Sequence, residues 1–191
     1  MIVKKTVYFE KPGRENTADC VEVLKEAVKT GGYKHIVLAT TTGETALAVG
    51  EALREDRGVN VVAVTHSMGF KEPNQTSVSR EARRKMETLG IKTFTGPMLT
   101  HSLETSLNHK FGGVYPTMII AQSLKRFGEG SKVACEIVMM AADAGLIPEG
   151  EEVLAVAGTA RGADTVLLVR AAASKRFLDL RVLEVLAKPR V

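Results

Sequence analysis

The sequence predicts an α/β fold in which the strands of one mostly parallel sheet alternate with helices. Three short segments, residues 36–39, 59–65 and 153–157, are apolar at nearly every position, which is typical of strands buried on both faces. Segments with an apolar stripe at helical spacing, such as residues 46–53, lie between them. Strand, loop and helix in repeated succession form the βαβ units of a parallel sheet.

The remaining elements follow from periodicity, glycine and proline. A strand at residues 5–9 precedes a helix that Asn16 or Thr17 caps and that two glycines end after residue 30. Further elements are expected in this chain order: a helix ending near residues 57–58, a charged helix at 80–89, a strand at 91–95, helices at 102–110, 116–127 and 131–144, a strand at 165–171 and an edge strand at 180–186. The helix at 131–144 is apolar nearly all round, which indicates a buried helix.

Length and composition favour one well-packed domain without nucleic-acid or membrane partners. A chain of 191 residues with 45% hydrophobic residues predicts a single domain spanning residues 1–191. The net charge of +4 is mild, and the basic cluster at residues 80–85 includes Glu81, which favours a solvated helix face with a Glu81–Lys85 pair. Aromatic residues make up 5% of the chain, so platforms for stacking bases are scarce. The chain contains no apolar stretch of membrane-spanning length.

The cysteines and the N-terminus predict a cytoplasmic protein. Cys20 and Cys135 stand far apart, which indicates two buried thiols in a reducing compartment rather than a disulfide. The first five residues do not form the apolar core of a signal peptide.

The loop after the strand at residues 36–39 is the strongest candidate for a binding site. It consists of small polar residues at the start of a helix: Thr40, Thr41, Thr42, Gly43, Glu44 and Thr45. Its hydroxyl groups and free backbone N–H groups suit a phosphate or another anion. The alternative is an ordinary helix cap by Thr41 or Thr42 that binds nothing. The loop has neither the lysine of a Walker motif nor the glycine pattern of a dinucleotide fingerprint.

Two further loops follow buried strands. The first contains Thr65, His66, Met68, Gly69 and Phe70, a polar segment with an exposed apolar pair. The second is small, flexible and basic, and it contains Gly158, Thr159, Ala160, Arg161, Gly162 and Asp164. Arg161 offers a fixed charge and a planar fork suited to phosphate, unless it forms an ion pair with Asp164 or Glu44.

The run from Ile36 to Gly43, followed by Val61–Thr65, resembles the C-terminal α/β domain of pyruvate kinase. Segments 8–17, 135–143 and 161–165 resemble more closely a family of stand-alone, mainly archaeal proteins that are similar to that domain. The resemblance covers essentially the whole chain. It implies a three-layer α/β/α sandwich with strand order 3-2-1-4-5, in which the last core strand is antiparallel and a strand is added at the N-terminus.

In that strand order, the threonine loop and the loop at residues 158–164 lie side by side where the order reverses. Open α/β sheets bind ligands in such a crevice. The pyruvate kinase domain binds a sugar bisphosphate there, whereas the stand-alone family implies flavin mononucleotide (FMN). The phosphate would then lie on the threonine loop and the flavin ring against Met68, Gly69 and Phe70.

Other candidate residues are less distinctive. His66, His101 and His109 do not have the close spacing of metal ligands, so we expect no metal site. His66 follows a strand next to the crevice and could bond a ligand or transfer a proton. Glu136 could orient loop N–H groups or a ligand hydroxyl, or it could pair with a lysine. Asn16 could cap its helix or contact a ligand.

Three functions remain open: a protein that binds a phosphorylated small molecule such as FMN, a flavin-dependent oxidoreductase, and a structural or regulatory module that dimerises through residues 102–127. We do not expect pyruvate kinase activity, because that chemistry lies on a barrel domain of ~250 residues that this sequence does not contain.

Overall fold

Within residues 1–56 and 58–190, which the computed structural model describes, seven strands form one sheet. They are β1 (Val7–Phe9), β2 (His35–Ala39), β3 (Asn60–Val64), β4 (Lys92–Phe94), β5 (Glu152–Ala157), β6 (Thr165–Arg170) and β7 (Arg181–Pro189). The helices are α1 (Thr17–Gly31), α2 (Glu44–Ala52), α3 (Arg80–Thr88), α4 (Leu103–Phe111), α5 (Pro116–Leu124) and α6 (Glu129–Asp143), with short 3-10 turns at Arg14–Asn16, Lys125–Phe127 and Ser174–Asp179.

The strand order is β1-β7-β6-β5-β2-β3-β4. The five strands β4-β3-β2-β5-β6 confirm the expected order 3-2-1-4-5. Strands β2, β3, β4 and β5 are parallel, and β6 runs antiparallel to β5, with Val156 opposite Val166. The N-terminal strand β1 is also present, although it begins two residues later than expected.

The predicted edge strand at residues 180–186 is not at the edge. β7 lies between β6 and β1, and Val7 of β1 pairs with Ala187 in parallel register. The alternation of polar and apolar residues that suggested an edge reflects partial exposure of the strand's faces, because Arg181 and Val182 are exposed whereas Ala187 is buried.

Helices cover both faces of the sheet because the buried strands are apolar on both sides. Ile36 and Leu38 of β2 point to the face covered by α1, α2 and α3. Val37, between them, points to the opposite face, where it packs with α6. Alternate side chains of a strand necessarily face opposite ways. Most of α6 is buried, which confirms the expectation for this helix.

Several helix boundaries differ from the sequence-based expectation. α2 ends at Ala52 and continues as a turn, five residues before the expected end at residues 57–58. Of those two, Arg57 lies outside the described residues. The helix expected at 116–127 ends at Leu124, and its last residues form a 3-10 turn.

Both cysteines are buried free thiols, as the sequence predicts. Burial raises the pKa of Cys20 to about 12 and that of Cys135 to about 11. The described helices include none with the length and apolar character needed to cross a bilayer. α4 exposes Leu103 and Phe111 to solvent, but dimerisation through this segment stays a prediction.

Candidate functional site

A cavity of about 190 Å³ lies where β2 and β3 end, between the sheet and the first half of α6. Ala39 and Val64, the last residues of the two strands, line its floor. Its polar lining comprises three threonines, two histidines, two lysines and two glutamates: Thr40, Thr41, Thr65, His66, His101, Lys125, Lys132, Glu129 and Glu136. The carboxyl ends of parallel strands are where open α/β sheets bind ligands.

Lys132 and Glu136 form a buried ion pair in the wall of the cavity. The Lys132 Nζ lies 2.6 Å from the Glu136 Oε2, and each side chain is 3% exposed. They are one turn apart on α6, a spacing that brings side chains together. The other carboxylate oxygen, Oε1, accepts hydrogen bonds of 2.7 Å from the N–H and the hydroxyl of Thr100.

The environment of Glu136 keeps its carboxyl ionised. Burial alone would raise its pKa, but the charge of Lys132 and the hydrogen bonds from Lys132 and Thr100 together lower the pKa below its ordinary value. The two alternatives for Glu136, orientation of a loop N–H and pairing with a lysine, are therefore both realised.

His66 has a buried ring nitrogen whose hydrogen bonding is incomplete. Its Nδ1 atom is buried and has no partner among the described residues. Its ring stacks on Phe70, with 4.2 Å between ring centroids. Burial, with the charge of Lys71 next in size, lowers the pKa of His66, so the imidazole is neutral at pH 7. A neutral imidazole with a free nitrogen can either donate a hydrogen bond or accept one.

The ring of His101 lies edge-on to that of Phe70, with 6.5 Å between their ring centroids. Its Nδ1 is 3.0 Å from the Thr100 hydroxyl and 3.5 Å from the Lys132 Nζ. Burial and the charge of Lys132 lower the pKa of His101 as well. The second ion pair, between Lys125 and Glu129 at 3.0 Å, is more exposed than the first. Because both histidines are neutral and each lysine is paired with a glutamate, the cavity carries no net formal charge at pH 7.

The threonine loop divides between the cavity and the opposite face of the sheet. Thr40 and Thr41 line the cavity, and the Thr40 hydroxyl accepts a hydrogen bond of 3.1 Å from the Gly43 N–H. Gly43 itself is the N-cap of α2 at a φ of 103°, where a Cβ atom would lie 3.0 Å from the Cβ of Ala82. The alternative that Thr41 or Thr42 caps this helix is therefore wrong.

The rest of this loop lies at the start of α2. Thr42 and Glu44 are exposed, and Thr45 is buried. The first helical hydrogen bond runs from the Leu47 N–H to the Gly43 carbonyl oxygen at 2.9 Å. The N–H groups before Leu47 therefore have no acceptor within the helix. The Gly43 N–H already donates to the Thr40 hydroxyl, so the N–H groups of Glu44, Thr45 and Ala46 are the backbone donors that remain for the predicted anion.

The loop at residues 158–164 belongs to a second polar group, which we call the Asp164 cluster: Gly13, Thr159, Asp164 and Thr165. The fully buried Asp164 accepts hydrogen bonds of 3.0 Å from the Gly13 and Thr159 N–H groups and one of 2.8 Å from the Thr165 hydroxyl. The cluster thus attaches the N-terminal loop to the end of β5. Next to it, a Cβ atom on Gly162 would lie 2.5 Å from the Cα of Arg14.

The structure brings together some of the predicted ligand residues and separates others. Thr40, Thr41, Thr65, His66 and Phe70 line the cavity. Met68 is exposed, and the N–H of Gly69 donates to the Gln75 carbonyl at 2.9 Å.

Residues 158–164 do not line this cavity. Ala160 and Arg161 are exposed at the surface. In the described part of the chain, the ion pairs do not include Arg161, so the predicted alternatives of a pair with Asp164 or Glu44 are not present.

Sequence reasoning missed Lys125, Glu129 and Lys132, and it treated His101 only as a possible metal ligand. The signal was available, because a lysine followed four residues later by a glutamate occurs twice between residues 125 and 136. The second pair lies in a helix that is otherwise apolar, where an uncompensated charge is costly.

Asn16 occupies the N-cap position of α1 without capping the helix through its side chain, and its contact with a ligand stays a prediction. Its side chain makes no capping hydrogen bond to α1 and instead donates to the carbonyl oxygens of Lys11 and Gly13, at 2.8 and 3.1 Å. Thr17 accepts a hydrogen bond from the Ala163 N–H at 3.0 Å, which joins α1 to the loop after β5. Among the described residues, no cluster of three histidine, cysteine or acidic side chains is placed to hold a metal ion.

Comparisons with known proteins point to one family. The family described as pyruvate kinase, alpha/beta domain, matches residues 18–169. A crystal structure of a pyruvate kinase from Cryptosporidium parvum is 16% identical, with a TM-score of 0.39, and the match covers 85% of this chain and 24% of that one. The Cryptosporidium parvum pyruvate kinase in complex with ADP is 17% identical, with a TM-score of 0.40, and covers 86% and 25%. This chain therefore spans about a quarter of the length of those enzymes. It belongs to the family of the pyruvate kinase alpha/beta domain.

Proposed function

We propose that the protein binds a small phosphorylated molecule, with FMN as the first candidate, at the carboxyl ends of β2 and β3. The observation that supports this most directly is the buried, unpartnered Nδ1 of His66 next to the cavity. A buried polar atom without a partner costs free energy, so a ligand that supplies the partner recovers that cost.

The neighbouring threonine loop is the part of the proposed site that would bind the phosphate. Thr41 lines the cavity and also precedes the free N–H groups at the start of α2. Backbone N–H groups at a helix N-terminus favour anions because the helix dipole adds to their hydrogen bonds. A ligand with a phosphate on the loop and its remainder in the cavity would contact both features.

The size and lining of the cavity fit part of FMN rather than the whole molecule. Sites for complete organic ligands usually measure ~300–1,000 Å³, whereas this cavity is about 190 Å³. The rings of His66 and Phe70, which both line the cavity and are tilted by 31° to one another, offer an aromatic surface to a ligand ring. FMN would supply a redox-active ring there, and the residues that line the cavity would bind and orient it.

Titration of the purified protein with FMN and with riboflavin, followed by flavin fluorescence, tests the proposal. We expect FMN to bind more tightly than riboflavin, which lacks the phosphate. Thr41→Val keeps the side-chain shape but removes the hydroxyl, and it should weaken FMN about tenfold while changing riboflavin binding little. Equal affinity of the wild-type protein for the two flavins would show that phosphate is not recognised, and a lack of binding for both would exclude flavins.

A further inference from the structure

We infer that the cavity binds the uncharged, hydrogen-bonding part of the ligand, of the amide or imide class, and that the phosphate remains outside on the threonine loop. This inference rests on the proposed function, because it assigns the two halves of the same ligand to two places.

The first argument is the charge balance of the cavity wall. Each lysine that lines the cavity lies within 3.0 Å of a glutamate four residues further on. A phosphate placed among these groups would be a buried charge without a compensating cation, since both positive groups are already neutralised. Burying such a charge costs far more than burying an amide that makes its hydrogen bonds.

The second argument is the set of hydrogen-bonding positions that remain. Glu136 uses one carboxylate oxygen for Lys132 and the other for Thr100. An ammonium group has three donors, and Glu136 takes one of those of Lys132 while His101 lies at 3.5 Å. Lys132 therefore retains a donor for a carbonyl oxygen, and His66, which also lines the cavity, has a ring nitrogen without a partner among the described residues.

An amide or imide edge presents a carbonyl oxygen beside an N–H group. Lys132 would donate to the carbonyl oxygen, and the neutral His66 could accept from the N–H. Flavin carries such an edge on its ring, but a different phosphorylated ligand with an amide or imide edge would satisfy the same positions.

The experiment replaces the buried pair without leaving a lone charge. Lys132→Met/Glu136→Met keeps the wall neutral and similar in volume, and apolar replacements of buried ion pairs are commonly tolerated. Because the donor is lost, we expect FMN and riboflavin to weaken by the same factor, about tenfold or more. Urea denaturation and circular dichroism establish that the variant is folded. The matched control is Glu81→Gln/Lys85→Met, which removes an exposed pair of the same spacing on α3 and should leave both affinities unchanged.

A second variant gives the cavity a net positive charge. Glu136→Gln leaves Lys132 without its counter-ion, so the cavity should become attractive to anions. Inorganic phosphate should not displace riboflavin from the wild-type protein, but it should displace riboflavin from Glu136→Gln.

The outcomes separate the inference from the proposed function. If the double methionine variant weakens FMN much more than riboflavin, or if phosphate displaces riboflavin from the wild-type protein, the phosphate lies in the cavity and the inference is wrong. Unchanged affinities in the folded double variant also overturn it. If the wild-type protein binds both flavins equally and the double variant loses both, phosphate recognition fails but the assignment of the cavity stands. If the wild-type protein binds neither flavin, both are overturned.

Discussion

The Asp164 cluster and the cavity both lie where central strands of the sheet end, yet they satisfy their polar groups in different ways. In the Asp164 cluster, the chain itself supplies three donors to one buried carboxylate. In the cavity, Glu136 is equally well satisfied, but His66 has a buried nitrogen without a partner among the described residues. A complete set of internal hydrogen bonds indicates a structural role, whereas an incomplete one next to a cavity indicates room for a ligand.

Asp164→Ala should have the largest effect on stability, because it removes the carboxylate from all three donors. Two backbone N–H groups would lose their charged acceptor in a buried site, so we expect the free energy of unfolding to fall by about 3–5 kcal/mol. Urea denaturation measures this change.

Asp164→Asn provides the control, since it keeps the size of the side chain and one acceptor oxygen. Its loss of stability should be clearly smaller. Equal losses for the two variants would mean that the negative charge of Asp164, and not the size of its side chain or a single acceptor oxygen, holds the N-terminal loop.

His66→Phe tests the cavity, and we expect it to change stability and ligand binding in opposite directions. The ring can still stack on Phe70, but the unpartnered nitrogen is gone. We expect the free energy of unfolding to rise by up to about 1 kcal/mol, while the affinity for flavin falls. A loss of stability would indicate that His66 is structural, like Asp164.

The same variant should change how stability depends on pH. In the folded protein, burial lowers the pKa of His66 below its ordinary value, so the unfolded chain binds this proton at higher pH than the folded one. Stability should therefore fall as the pH decreases through about 6.5 towards the native pKa. Thermal unfolding between pH 5 and 8 should show a shallower slope for His66→Phe. His101, whose pKa is also lowered, should keep part of the dependence.

The sequence predicts the strands that carry the cavity and the Asp164 cluster better than it predicts the contacts within these two regions. The buried strands were recognisable because residues such as Ile36 and Val37 are apolar on both faces, and the resemblance to a known domain supplied their order. The position of β7 was not predictable from alternation, because exposed faces and an unpaired edge produce the same pattern.

Within the site, residues that follow strands were found because the chain direction places them at one edge of the sheet. This logic located Thr41, His66 and Asp164. It did not show that Asp164 would contact Gly13, which is 151 residues away in the sequence, since no local pattern encodes such a pair. Nor did it separate the two sides of the sheet, so the loop of Arg161 and the cavity were expected to form one site.

Arg161→Ala should have the smallest effect, and it tests whether the loop of the Asp164 cluster contacts the ligand that binds at the cavity. Arg161 is exposed and lies within the loop at residues 158–164, which the Asp164 cluster anchors. Exposed charge pairs are screened by solvent and contribute little, so any loss of FMN affinity should be about two- to fivefold, with riboflavin unaffected. Isothermal titration at low and at high salt measures this loss, which should disappear at high salt because screening removes exposed interactions first. A loss that persists at high salt and reaches a hundredfold would mean that the loop closes over the phosphate when the ligand binds. In that case the loop at residues 158–164 would bind the ligand as well as stabilise the fold. The Asp164 cluster and the cavity would then be separate sites only in the absence of ligand.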